Sequence, residues 1–407
     1  MAAFGDMAFA TFSIMSSVYR IREAGLDPLQ LILVGTVLEA SVFVFEVPTG
    51  VVADVYSRRL SLIIGFALIG AGFILEGVLP VFATILVAQA VWGIGYTFTS
   101  GARQAWLADE LPNGDGVGGI FMRGSQLGQV GALAGIGLGV GLATISLALP
   151  LIAGGAMFVA LAAFLIVVMP ERGFRQSQVE DRGSFSEMWT TFTSGVRVVR
   201  MRHVLLAIIA AELFIGISSE PYDRLWALHM LDTFEFPSLF GLDPVTWFGV
   251  MSAGALLIGI GATGLIRKIF DLDEPRTPRR LLLATNAAMI AATLAFALSG
   301  SFGVAAAMVI AISVLRRISD PITDAWLNKH VDSSHRATVF SLHGQTNAFG
   351  QAALGPAMGV IATLTTLRAA LVGVAVLLVP PLVIYAFVRG SGTTNHNENR
   401  KESHETD

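Results

Sequence analysis

Twelve predominantly apolar runs, each about 20 residues or longer, constrain what this chain can fold into. A run of ~20 apolar residues is what an α-helix needs to cross the ~30 Å hydrocarbon core of a bilayer. The runs are 3–22, 28–54, 60–79, 81–106, 119–144, 148–169, 201–231, 244–266, 280–300, 302–327, 337–362 and 366–388. We therefore predict an all-α integral membrane protein with twelve transmembrane helices.

Composition supports a membrane protein and excludes several other classes. Hydrophobic residues make up 54% of the chain and charged residues 14%, whereas a soluble domain carries about 25% charged residues. The absence of cysteine excludes a disulfide framework and a cysteine-based metal site. The net charge of -4 gives no support for a nucleic-acid partner. We expect no cofactor and no metal.

The longest polar stretch between the runs is 170–200, and it separates six runs from six. This division predicts two six-helix bundles, 1–169 and 201–388, joined by 170–200 as a cytoplasmic linker. Residues 389–407 are polar and lack apolar periodicity, which predicts a disordered cytoplasmic tail.

Orientation follows from the basic residues in the connections. If both termini lie inside, the inner connections hold eighteen Lys and Arg residues and the outer connections four. Because basic residues accumulate in cytoplasmic loops, we expect both termini in the cytoplasm. The predicted location is the inner (cytoplasmic) membrane of a bacterial-type cell.

Short sequences recur in the two halves in the same order and at equivalent helix positions. They pair Gly25-Leu26-Asp27-Pro28 with Gly241-Leu242-Asp243-Pro244, Arg58-Arg59-Leu60 with Arg279-Arg280-Leu281, Ala105-Trp106-Leu107 with Ala325-Trp326-Leu327, and Gly128-Gln129 with Gly350-Gln351. Coincidence in apolar sequence is the alternative. A parallel repeat of six helices is typical of transporters with a site near the midplane, so the bundles are predicted to be pseudo-repeats.

The connection between the second and third runs carries the most specific pattern, with Gly50, Asp54, Arg58 and Arg59 at fixed spacing. It resembles the loop 2–3 signature of the major facilitator superfamily, Gly-x-x-x-Asp-x-x-Gly-Arg-Arg/Lys, except that Ser57 stands where the family usually has Gly. Together with the helix count, linker and repeat, the resemblance covers the whole chain. It implies a secondary transporter that works by alternating access and is not an enzyme.

The same residues predict a gate. A lone carboxylate at the bilayer edge is costly, so Asp54 is expected to pair with Arg58, which can also reach Asp109. In the family, the acidic residue and the arginine latch the two halves in the outward-facing state. The resemblance therefore implies a cytoplasmic gate of Asp54, Arg58 and Asp109, with Gly50 and Arg59 completing the motif. The alternative is that Arg58 and Arg59 only set topology.

Arg103, in the fourth run, has two interpretations. Family members often keep an arginine in this helix that is associated with proton transfer. Here Arg103 lies close to the inner end, so a structural partnership with Glu46 or Asp109 is at least as well supported.

Ionisable residues at membrane depth are functional candidates, because their burial is costly. The proton-coupling and substrate candidates are Glu39, Glu46, Glu212, Arg316, Arg317 and Asp320. Arg316, Asp320 and Asp324 share one helix face at four-residue spacing and can neutralise one another. The alternative is that these groups are buried ion pairs that fix helix packing. A further cluster of Glu220, Asp223 and Arg224 is predicted to form a charged outer mouth or outer gate.

These observations favour proton-coupled export of a drug-like or amphipathic small molecule, since two stretches resemble those of efflux-type permeases of the superfamily. The stretches are Glu-Val-Pro-Thr-Gly from residue 46 and Ser-Gly-Ala-Arg-Gln-Ala-Trp from residue 100. The alternatives are proton-coupled uptake of a sugar or organic metabolite and a non-transporting receptor or scaffold with the same fold. No phosphate-binding loop of the Gly-x-x-x-x-Gly-Lys-Ser/Thr type is present, so ATP drive is not supported. The expected partners are the small-molecule substrate, protons and membrane lipid, with the protein a monomer.

Overall fold

A computed structural model of the chain describes residues 1–110, 117–174, 193, 196–238, 245–271, 274, 276–332 and 335–388. The regular structure of these residues is helical. The helices are α1 (Ala2–Arg22), α2 (Pro28–Val55), α3 (Arg58–Val78), α4 (Phe82–Thr99), α5 (Ala102–Glu110), α6 (Val117–Ala143), α7 (Ala148–Val168), α8 (His203–Thr233), α9 (Thr246–Ile269), α10 (Thr277–Leu298), α11 (Phe302–His330), α12 (Arg336–Leu364), α13 (Leu367–Leu377) and α14 (Val379–Phe387). The predicted tail 389–407, most of the predicted linker and the repeat sequence at 241–244 lie outside the described residues.

Within the described part of the chain, ten helical spans are long and apolar enough to cross a membrane, with α4–α5 forming one span and α13–α14 another. Helices α1 and α12 are less apolar, because α1 carries Asp6 and Arg20 and α12 carries His343 and Asn347. With these two, the helices occupy the twelve predicted positions. The predicted all-α membrane fold is therefore confirmed.

Two predicted helices are interrupted where their sequence favours a break. Between α4 and α5 the backbone of Ser100 is extended and Gly101 is left-handed, with φ of 70°. Glycine adopts this conformation without the penalty that a Cβ would bring. Between α13 and α14 the chain reaches Pro380 and Pro381, which lack the N–H needed to extend α13 but are tolerated in the first turn of α14.

The two halves repeat the same packing. In the first half α1 contacts α6 and α7, α3 contacts α4 and α7, and α2 contacts α4. The second half repeats these contacts with α8 against α12 and α13, α10 against α11 and α13, and α9 against α11. The sequence repeat therefore corresponds to a repeat of helix packing.

Four long helices contain an internal proline: Pro48 in α2, Pro221 in α8, Pro321 in α11 and Pro356 in α12. Each proline removes one i→i−4 hydrogen bond from its helix. All four helices face the space between the two halves. We call the side of the bundle with connection 56–57 and residues 169–174 the linker side, and the side with residues 23–27 and 79–81 the far side.

Candidate functional site

A cavity of about 920 Å³, called cavity 1, lies between the two halves. Helices α2 and α4 line it from the first half, and α8, α10, α11, α12, α13 and α14 line it from the second. The lining runs from the middle of these helices to their linker-side ends, where Glu46, Ser100 and Asp324 lie. Asp320 and Asp324 are exposed. Cavity 1 therefore opens toward the linker side.

The α2 wall of cavity 1 carries two of the predicted carboxylates, Glu39 and Glu46. Glu46 accepts a 2.9 Å hydrogen bond from Ser100 Oγ, at the break between α4 and α5. Among the described residues, no side chain forms a hydrogen bond or ion pair with Glu39. A half-buried carboxylate without a fixed partner is suited to exchange a proton, because apolar surroundings disfavour its charged form.

Glu212, on α8, lies in a polar network with α12. Its Oε2 is 3.0 Å from His343 Nε2, and its Oε1 accepts a hydrogen bond from Asn347. Gln351 Nε2 continues the network with a 2.6 Å bond to Asn347 Oδ1. Sequence reasoning missed His343, although His343, Asn347 and Gln351 follow one another at four-residue spacing on one helix face.

Arg316, on α11, pairs across helices rather than along its own helix. Its Nη1 donates a 2.6 Å hydrogen bond to Asp223 Oδ1 on α8. The guanidinium also lies over the Tyr222 ring, 4.8 Å from its centroid. The predicted mutual neutralisation of Arg316 with Asp320 and Asp324 is therefore replaced by an ion pair with Asp223, while Asp320 faces cavity 1. The reason is that α8 brings a carboxylate within direct reach.

A second cavity of about 900 Å³, called cavity 2, lies between α1, α5, α6 and α7 of the first half and α8, α9 and α11 of the second. Its aromatic lining residues are Phe9, Trp106, Phe121, Phe164, Trp226 and Phe248. Only three charged side chains line it among the described residues, namely Asp6, Arg103 and Arg317. Cavity 2 is therefore a largely apolar compartment.

The structural role expected of Arg103 is not what the structure shows. Glu46 is bonded to Ser100 and Asp109 to Arg58, whereas Arg103 is exposed and lines cavity 2 with Asp6. The physical reason is the break at Gly101, which turns α5 relative to α4.

The predicted outer mouth is buried. Glu220 is 1% exposed, and its Oε1 accepts a 2.8 Å hydrogen bond from Arg224 Nε. A Cβ placed on Gly35 of α2 would lie 1.4 Å from Glu220 Oε1, so the absence of a side chain at Gly35 lets α2 close against the ion pair. Asp223, the third predicted residue, points to Arg316 instead. A closed contact of the two halves toward the far side thus takes the place of an open mouth, and it is compatible with the outer gate that was the other prediction for this cluster.

The gate motif is bonded within the first half. Arg58 donates to Asp109 and, at 2.8 Å, to the carbonyl of Ala105. Asp54 Oδ1 is 3.8 Å from Arg58 Nη2, and the Asp54 side chain is half exposed. With the linker side open, the motif therefore joins α2, α3 and α5, and its described bonds do not reach the second half.

The rest of the motif anchors residues 169–174. Ser57 Oγ donates to Glu171 Oε2 at 2.7 Å and also caps α3 by accepting from the backbone of Leu60. The Arg59 backbone donates to Glu171 at 2.9 Å, and the Arg59 side chain donates to the carbonyl of Ile166. Ser57, where the family usually has glycine, thus acts as a helix cap and a tether. No atom lies within 4 Å of a Cβ placed on Gly50.

An ion pair that sequence reasoning missed lies inside the first half. Arg20 Nε donates to Glu76 Oε1 at 2.7 Å, and both side chains are almost fully buried. Gln89 Nε2 donates to Glu76 Oε2 at 2.7 Å, and Tyr19 donates to the carbonyl of Glu76 at 2.9 Å. Arg20 is one of the four basic residues that the topology count places in the outer connections, because it lies near the end of an apolar run.

Comparison with known proteins agrees with this architecture. The chain belongs to the Major Facilitator Superfamily, whose family model matches residues 1–315. It is therefore a multi-pass membrane protein and, by its fold, a secondary transporter rather than an enzyme. The family predicted from the loop 2–3 pattern is confirmed.

Individual relatives support the family without defining a substrate. The chain is 24% identical over 391 residues to an uncharacterized MFS-type transporter, YxaM, of Bacillus subtilis (strain 168), covering 95% of this chain and 94% of that protein. The nucleoside transporter NupG aligns with a TM-score of 0.72 at 13% identity, over 95% of this chain and 96% of that one. A bacterial homolog of the human lysosomal transporter Spinster, inward-facing and unoccupied, aligns with a TM-score of 0.73 at 15% identity, over 94% of each chain. Likeness at these identities is a likeness of fold.

Proposed function

We propose that this protein exports a drug-like or amphipathic small molecule across the cytoplasmic membrane in exchange for protons. The observation that carries the proposal is the pair of unlike cavities between the halves. Cavity 1 presents Glu39, Glu212, Arg316 and Asp320, whereas cavity 2 is lined mainly by aromatic and aliphatic side chains. A molecule with a polar end and an apolar body matches these two environments.

The orientation is compatible with loading from the cytoplasm, as export requires. The predicted positive-inside arrangement makes the linker side cytoplasmic. Cavity 1 then opens to the cytoplasm, and the contact of Gly35 with Glu220 and Arg224 closes the outer side. A compound would enter from the cytoplasm or inner leaflet and leave once the two halves rock about the site.

Proton coupling rests on the carboxylates of cavity 1. Glu39 lies in the middle of α2 without a fixed partner, and Glu212 lies beside His343. Protonation of either group changes the charge of the cavity, and therefore the relative stability of the two access states. Among the other charges of cavity 1, Arg316 is already bonded to Asp223, whereas Asp320 and Asp324 line the cavity without an ion pair in the described structure. We assign the coupling role first to Glu39 and second to Glu212.

The alternative with a specific observation behind it is uptake of a polar metabolite. One protein of similar fold is a nucleoside transporter, and cavity 1 taken alone is polar enough for such a ligand. A non-transporting scaffold is disfavoured. Burying so many ionisable groups at membrane depth costs free energy, and a scaffold would have no use for them.

The test is transport into inverted membrane vesicles that are energised to an acidic lumen. The wild type and Glu39→Gln would be compared across a panel of lipophilic cationic dyes and antibiotics. Glu23→Gln, at an exposed position near the far side, is the matched control. We expect gradient-driven accumulation in the wild type and in the control, and its loss in Glu39→Gln.

Two results would contradict the proposal. If no compound accumulates but a metabolite enters right-side-out vesicles with protons, the protein is an importer. Full accumulation in Glu39→Gln would remove Glu39 from the coupling path and transfer that role to Glu212.

A further inference from the structure

Two buried side chains in the wall of cavity 1 have no hydrogen-bond partner within the described structure. Asn286, on α10, is 2% exposed, and neither its amide nitrogen nor its amide oxygen is bonded. Tyr222, on α8, is 4% exposed, and its hydroxyl is also unbonded. More than about nine in ten buried polar groups in proteins are hydrogen-bonded. These two residues therefore need an explanation.

Their polar neighbours are satisfied. Thr293 Oγ1 donates to the carbonyl of Met289 at 2.8 Å. Ser319 Oγ donates to the carbonyl of Leu315 at 2.9 Å and lies 3.1 Å from Thr285 Oγ1. Hydroxyl side chains on this wall thus bond back to their own helices. On this part of the wall, the unmet hydrogen-bonding capacity belongs to the longer amide group of Asn286 and the phenol group of Tyr222, and both residues line the cavity.

The neighbouring charges do not fill this capacity. Arg316 lies 4.8 Å above the Tyr222 ring but directs its Nη1 to Asp223. The stacked guanidinium holds the plane of the ring and leaves the hydroxyl free. Because Arg316 is neutralised by Asp223, its positive charge does not require an anionic group on the ligand.

We propose that Asn286 and Tyr222 bind a neutral, planar amide-type group of the transported molecule, such as a carboxamide or the lactam edge of a nucleobase. The inference rests on the proposed transport function and assigns it a recognition element. An asparagine side chain offers an acceptor and a donor side by side, and it pairs with a matching donor–acceptor edge in two parallel bonds, as it does with adenine. The tyrosine hydroxyl supplies a third bond as donor or acceptor.

The competing explanation is that buried water alone satisfies these groups. The two explanations differ in ligand selectivity. A site that hydrogen-bonds its ligand rejects an analogue that lacks the donor, because its own buried groups are then left unpaired. A site filled by water shows no such preference.

The experiment measures thermal unfolding of the purified full-length protein in detergent, with matched probes added. The pairs are uridine with N3-methyluridine and nicotinamide with N,N-dimethylnicotinamide, in which methylation removes the amide donor. For the wild type we expect apparent Kd values at least about tenfold weaker for the methylated members. Asn286→Leu should lose that preference, and without ligand it should unfold at a higher temperature, because an unpaired amide has been removed. Tyr222→Phe is the second variant and should weaken binding of both parent probes.

Equal binding of both members of each pair by the wild type, or binding of neither, overturns the inference. So does a preference that survives in Asn286→Leu and in Tyr222→Phe. The vesicle assay separates this failure from failure of the transport proposal. Proton-driven dye accumulation without amide selectivity would leave the transporter intact and remove only the recognition element. Amide-selective binding without gradient-driven transport of any probe would support the recognition element and contradict the proposed transport function.

Discussion

Arg316 and Arg317 are neighbours on α11, yet Arg316 lines cavity 1 and Arg317 lines cavity 2. At 3.6 residues per turn, consecutive side chains leave a helix about 100° apart, which is sufficient to send them to different compartments. Arg316 is bonded to Asp223, while Arg317 lies across Gly259, where a Cβ would be 2.6 Å from Arg317 Cδ. A shift of α11 would therefore move positive charge in both cavities at once.

The Arg316–Asp223 pair should be essential for transport and energetically coupled. We expect Asp223→Asn and Arg316→Gln each to lower the initial transport rate at least about tenfold, because each leaves one charge without its partner. The double variant should be less impaired than the product of the two single losses predicts. Arg316→Lys should also fail, because an ammonium does not reproduce the planar stacking on Tyr222. Strictly multiplicative losses in reconstituted liposomes would show that the two residues act independently.

The Arg20–Glu76 pair should contribute more to the stability of the protein than the Arg316–Asp223 pair does. Removing one partner of a buried ion pair leaves an uncompensated charge and costs about 3–5 kcal/mol, so Glu76→Ala should strongly lower the thermal unfolding midpoint in detergent. Glu235→Ala, at an exposed position, is the control. A midpoint unchanged in Glu76→Ala would mean that Gln89 and internal water suffice to solvate Arg20.

Substitutions of the two acidic residues of the gate motif should affect different properties, stability in one case and transport in the other. Asp109 is bonded directly to Arg58, so Asp109→Asn should cost about 1.5–3 kcal/mol, the range for hydrogen bonds to charged groups. Asp54 is half exposed and 3.8 Å from Arg58, so Asp54→Asn should leave the unfolding midpoint nearly unchanged while abolishing transport. Unchanged transport in Asp54→Asn would remove Asp54 from the proposed gate.

Gly35 should control which side of the protein is open. Gly35→Ala places a methyl group at the position of Glu220 Oε1, which should prevent closure of the far side. Because the chain has no cysteine, a single cysteine introduced at Leu29 reports far-side access by its rate of reaction with a membrane-impermeant maleimide. We expect faster labelling in Gly35→Ala and no change in Gly137→Ala, where a Cβ meets nothing within 4 Å. Equal rates in both variants would disprove this role.

Much of the fold follows from the sequence, because membrane insertion needs long apolar helices and little else. The twelve helical positions and the repeat could be predicted from the sequence, and Asp109 was one of the two partners predicted for Arg58. The breaks at Gly101 and before Pro380 were not predicted, because the runs were delimited by hydropathy, which does not weigh a glycine or a proline within a run.

The sequence indicated several of the residues that line cavity 1, but it did not indicate which side chains pair with each other. Glu39, Glu46 and Glu212 do face cavity 1, as charges at membrane depth suggest. Arg316 was matched to the wrong carboxylate, because helix spacing describes neighbours on one helix and says nothing about Asp223 on another. His343 and Asn286 escaped notice for a related reason: a single polar residue in an apolar helix acquires meaning only when the opposite wall of the cavity is known.

The internal prolines of α2, α8, α11 and α12 have a kinetic consequence. In hydrocarbon, bending an intact helix means stretching or breaking a backbone hydrogen bond that water cannot replace. At Pro48, Pro221, Pro321 and Pro356 that bond is missing in every conformation, so its loss adds nothing to the activation barrier of a bend. The four helices can therefore flex at fixed points, and the prolines act on the rate of exchange between the two access states rather than on their relative populations.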